Sequence, residues 1–156
     1  MAAITAGLFA PYLLSQSLDQ LPLVRVIELK GRTYHVQGIE ADAGRLWVTS
    51  VDRNTQSGYL HEFALPGGTL IREVKLQDGA RYHPGGIAAA DGSLWIPIAE
   101  YRANSTSIIQ RRNKRTLAVE KQFSVDDHIG CIGQSHRDDG RWPRKRTVCA
   151  PSPGNS

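Results

Sequence analysis

One stretch of sequence recurs at a fixed spacing, and that recurrence limits the folds open to the chain more than any other feature. Tyr34 to Val48, YHVQGIEADAGRLWV, aligns without a gap on Tyr82 to Ile96, YHPGGIAAADGSLWI, 48 residues further on. Tyr34, His35, Gly38, Ile39, Leu46 and Trp47 return as Tyr82, His83, Gly86, Ile87, Leu94 and Trp95. A third copy opens 45 residues later at HIGCI, where His128 and Ile132 take the places of His83 and Ile87.

Period-two alternation and turn residues divide each unit into four short strands, here called A to D. The first unit reads GIEA, LWVTSV, YLHEFAL, a Pro66-Gly67-Gly68 turn and TLIREVKL. The second reads GIAAA, an Asp91-Gly92 turn, LWIPIA, TSIIQRR and TLAVEKQF. No segment reads as a strong helix. Four-stranded units in series are the blades of a β-propeller. The expected fold class is therefore all-β: a partial β-propeller with one N-terminal D-type strand (LVRVIEL), two complete four-stranded blades and the start of a third.

The expected organisation is a lead-in or signal-like segment over 1–22, the partial propeller over 23–132 and a basic Pro/Ser/Arg-rich tail over 133–156. The tail has no alternating run and reads as disordered or frame-shifted sequence. Propellers take roughly four to eight blades. Two blades thus predict a truncated or frame-shifted product, or a homodimer that completes the ring.

Charge narrows the partners. Of 19 basic and 15 acidic residues, five and two fall between Gln134 and Ser156, which leaves a body of 14 against 13. A nearly neutral body does not supply a phosphate-binding groove, so no nucleic-acid partner is expected. The apolar start, MAAITAGLFAPYLLSQS, has no Lys or Arg before Arg25 and is too short for a transmembrane helix. It leaves cytoplasmic and exported locations both open. Cys131 and Cys149 share no ligand spacing, and neither a zinc site nor a disulfide framework is indicated.

HVQGIEADAGRLWVTSVDR, GYLHEFALPGG and HPGGIAAADGSLWIPIAEYR resemble an uncharacterised family of roughly six-bladed propeller proteins, a domain of unknown function, over about Leu23 to Ile132. The resemblance implies a ring normally completed by further blades. Its architecture is similar to gluconolactonase-like and streptogramin-lyase-like propellers at the level of fold, which carries no chemistry with it. The tail from Gly133 departs from the family pattern.

Chain direction within a blade fixes which loops share an end of the ring. His35, His83 and His128 each precede strand A, and Asp52 and Glu100 each follow strand B at the repeat spacing, so all five belong to one face. Neutral imidazoles can hold a divalent metal, and His35, His83 and His128 are the candidate ligands for such a cofactor. A neighbouring carboxylate would deprotonate a metal-bound water for attack on an ester or lactone. Without metal, a histidine there would serve as general base for an elimination. His83 and Glu100 are the candidate catalytic pair, with His35, Asp52 and His128 binding a small-molecule ligand. The alternative is a non-catalytic interaction scaffold, because repeated residues in repeat proteins usually serve the repeat. Trp47 and Trp95 are expected to pack between blades.

Overall fold

The computed structural model describes residues 24–133 and 147–149. The described residues are all-β, with no helix. Strands β1 (His35–Asp42), β2 (Arg45–Asp52), β3 (Ser57–Ala64) and β4 (Thr69–Lys75) form one antiparallel sheet in sequence order. Strands β5 (Arg81–Pro84), β6 (Ala88–Ala90), β7 (Ser93–Glu100), β8 (Ser107–Asn113) and β9 (Val119–Val125) form a second, in which β5 and β6 both pair with β7. These are two meandering blades of a partial propeller. β10 (Cys131–Gly133) opens a third and pairs with β11 (Thr147–Cys149).

The A-to-B turns follow from their residues. Ala43 and Gly44 have φ of 47° and 77°, and Asp91 and Gly92 have 44° and 75°, the paired left-handed conformation of a two-residue hairpin. Ala43 carries a Cβ where glycine belongs. Ala43→Gly is therefore expected to raise stability by about 1 kcal/mol, read as a higher urea midpoint at unchanged slope.

Strand A differs between the blades for a physical reason. In the first it is continuous, with an irregularity between Val36 and Gly38. In the second it splits into β5 and β6, opposite Pro97 of β7. Proline offers no N–H to the ladder, so only its carbonyl is used, accepting from Gly85 N at 2.9 Å.

The main core lies between the blades. Trp47 and Leu60 from the first sheet, and Leu76 from the connector, pack against Ile87, Leu94, Ile96, Ile98, Ile108 and Leu117 of the second. Period-two alternation sends Leu94, Ile96 and Ile98 to this side of β7 and Trp95 to the other. Trp95 packs against a smaller cluster of Ala88, Ile109, Ile129 and Ile132. Both tryptophans thus serve blade packing, as expected.

Three expectations need correction. The segment read as an N-terminal D-type strand forms no strand over residues 24–29; it meets the first sheet where Arg25 donates to Pro66 O at 3.2 Å and, just beyond it, through an isolated parallel bridge from Lys30 to Thr69. An outermost strand has only the C strand of its own blade to pair with, and none lies beside it among the described residues. Val24 and Val26 are accordingly 90% and 77% exposed. Next, the tail contributes β11, whose register sets Cys149 opposite Cys131. Finally, Cys131 is disulfide-bonded, a link that ligand-spacing rules do not detect. The lead-in over 1–22 and the tail over 134–146 and 150–156 lie outside the described residues.

Candidate functional site

The A-strand entries of successive blades come into contact, and there the repeated histidines meet. The connectors into strand A place His35 at the start of β1, His83 in β5 and His128 just before β10. Gly86 N donates to Gly130 O at 3.0 Å, and Thr49 Oγ1 donates to Gly85 O at 2.8 Å. These contacts bring the A-strand entries of three blades within reach of one another.

A chain of side-chain contacts crosses them. Gln37 Nε2 donates to the His35 carbonyl at 3.4 Å and also meets His35 Nδ1. Because that carbonyl only accepts, the amide is oriented with its oxygen toward His83, and His83 Nε2 donates to Gln37 Oε1 at 3.0 Å. The His83 proton therefore sits on Nε2, which leaves Nδ1 as the basic nitrogen, with no hydrogen-bond partner among the described residues. The His83 and His128 rings lie 5.7 Å apart and tilted. His128 Nδ1 is 2.8 Å from Ser105 Oγ and 3.2 Å from the Arg102 carbonyl.

Aromatic residues wall the other side. The Tyr101 ring is 4.6 Å from His83 and stacks on Tyr82 at 5.9 Å with 6° between planes. The Arg53 guanidinium lies over Tyr101 at 5.4 Å. Arg53 and Tyr101 occupy equivalent places in the two B-to-C loops, 48 residues apart.

Burial, with His128, His35 and Arg53 nearby, pushes His83 down from 6.5 to about 4. Each cause disfavours an added positive charge, so the ring is held neutral at physiological pH.

The two expected carboxylates are engaged elsewhere. Asp52 accepts from Asn54 N at 3.0 Å and from Thr55 Oγ1 at 2.8 Å, closing its own turn. The Thr55 hydrogen bond in particular holds it below the usual carboxylate value. Glu100 accepts from Arg102 Nε at 2.5 Å and from Thr106 Oγ1 at 3.2 Å. The Arg102 hydrogen bond likewise lowers its pKa. Neither makes a hydrogen bond or ion pair to the histidines among the described residues. Nor is any group of three or more His, Cys, Asp or Glu side chains placed to hold a metal ion among them. His35, His83 and His128 thus converge without forming a ligand set, since Gln37 and Ser105 take up nitrogens that a metal would need.

A second polar network went unrecognised in the sequence. Ser50 Oγ lies 2.7 Å from His61 Nε2, and His61 Nδ1 lies 3.1 Å from Glu73 Oε2, off the hydrogen-bond axis. Ser50 and His61 are fully buried. Burial lowers the His61 pKa while Glu73 raises it. By sheet register His61 and Glu73 correspond to Gln110 and Gln122 of the second blade, which also bond each other, at 3.3 Å. A cross-strand polar pair is thus common to both blades, and the buried hydroxyl gives a substrate no approach. This network holds the blade together.

The sequence matches a family of unknown function, DUF6454, over residues 19–141. No curated protein matches it. No helix among the described residues is long and apolar enough to cross a membrane.

Proposed function

The chain belongs to the DUF6454 family, and we propose that the ring its blades build binds a small molecule at the His83 end of the channel, with His83 as proton acceptor in a hydrolase or lyase. The observation that carries this reading is the orientation of His83. Gln37 fixes its tautomer, aromatic rings hold it in place, and its basic Nδ1 lacks a hydrogen-bond partner among the described residues. A neutral, oriented imidazole is what general-base chemistry requires, although a pKa near 4 makes it a weak base until a ligand changes its surroundings. Metal-assisted hydrolysis fits the donor set less well, for the reason given above.

The non-catalytic scaffold is the second reading, and a specific observation favours it. Asp52, Glu100 and His128 all make local contacts that would cement loops and blades without any ligand. A further partner in this proposal is a second copy of the chain completing the ring, which light scattering would register as a dimer.

The two readings part on one experiment. The His83 ring signals are followed by NMR while the purified chain is screened against small esters, lactones and their acids. The ligand reading expects compounds that shift His83, and the loss of their binding in a folded His83→Gln variant. The scaffold reading expects no compound to shift the ring and His83→Gln to lose stability alone. Addition of zinc without a change in melting temperature would count against a metal-dependent version.

A further inference from the structure

Resting on the small-molecule reading above, we infer that the His83 site takes a carboxylate-bearing ligand and that Arg53 is the residue that selects it. Around this end of the ring, Arg81 is paired with Asp78 at 2.9 Å and Arg102 with Glu100 at 2.5 Å. Arg53 makes no ion pair among the described residues. The acid next to it in sequence, Asp52, has turned back into its own loop. Arg32 also lacks an ion pair among the described residues but lies over Tyr34, so the unpaired guanidinium set over Tyr101, the ring that meets His83, is that of Arg53. Glu100 is paired with Arg102, and Asp52 spends its acceptors on Asn54 and Thr55.

Position supports the same conclusion. Arg53 comes from the first blade and lies over Tyr101 of the second, whose ring in turn contacts His83. The guanidinium lies over the Tyr101 ring and makes no hydrogen bond or ion pair among the described residues, so its N–H fork is available to grip a carboxylate through two parallel hydrogen bonds. A planar ligand body would stack alongside the tyrosines, with its carboxylate on Arg53 and its reacting end toward His83 Nδ1. Arg53 is a positioning and specificity residue in this arrangement, whereas His83 is the group that meets the reacting atoms.

The test uses two probes of one shape and different charge, benzoate and benzamide, titrated into the full chain while the His83 ring is followed by NMR. Benzoate is expected to bind more tightly than benzamide, and Arg53→Gln to weaken benzoate roughly tenfold while leaving benzamide unchanged. Arg53→Lys keeps the charge without the fork and should retain part of the preference. Arg53 is exposed, so these variants should stay folded, which circular dichroism checks. Equal binding of both probes, unmoved by Arg53→Gln, would overturn the carboxylate inference and leave His83 as a small-molecule site. No response of His83 to either probe would overturn both.

Discussion

Replacing Gly58 by alanine is expected to destabilise the protein by about 3 kcal/mol, at the upper end of what overpacking usually costs. Gly58 lies in β3 and is buried against the connector that enters the second blade. A Cβ there would stand 2.5 Å from the Tyr82 carbonyl oxygen, 2.6 Å from that of Leu76 and 2.8 Å from Pro84 Cδ. Two of these neighbours are backbone atoms, which cannot rotate away. The same stretch is pinned by Leu76 N donating to Gly58 O at 2.7 Å. The damage should reach the site as well, because Tyr82 and His83 follow directly along that connector. Gly67→Ala is the control: its Cβ would meet nothing closer than Thr69 Oγ1 at 3.8 Å. Urea unfolding of both variants checks the contrast. Comparable stabilities would mean that the blades do not meet as closely as described.

The second large effect is a loss of stability on mild acidification. The unfolded chain protonates His83 near 6.5, whereas the folded chain resists down to about 4. Between those values the unfolded state binds more protons, so stability falls as pH falls, beginning near 6.5 and continuing to about 4. Above that window the contribution is fully present. The difference corresponds to at most about 3 kcal/mol from His83. His61 adds in the same direction, since burial lowers its pKa too. Asp52 and Glu100, whose pKa values are lowered, have the same sign but act at more acidic pH, as they approach protonation. Unfolding free energies measured from pH 7.5 to 4 should slope downward in the wild type, and the slope should shrink in His83→Gln.

Blade number, strand order and packing side could all be read from a 48-residue period, because a blade is specified by alternation and turns, and both repeat. Leu94 and Trp95 show why: neighbours in sequence, they face opposite cores. The histidines were legible for the same reason. What escaped detection breaks the repeat. Gln37 stands in the place of Gly85, and Tyr101 in that of Arg53. These differences make the contacts around His83 asymmetric, and a repeat carries no signal for them. Asp52 and Glu100 misled in the opposite way. Their spacing put both just after strand B, but side-chain direction follows local donors, and Thr55 and Arg102 take up their oxygens. Pro97 likewise interrupts a strand that the aligned repeats would make continuous.

His83 is half-buried, held neutral and in contact with neighbours from two other blades. An NMR titration of its ring in the purified chain measures this directly. The expected result is a midpoint near 4 that rises in Arg53→Gln and in His128→Gln, because each removes a charge or a potential charge that lowers it. A midpoint near 6.5, unaffected by either substitution, would mean that the three imidazoles do not converge and that the proposed site is not formed.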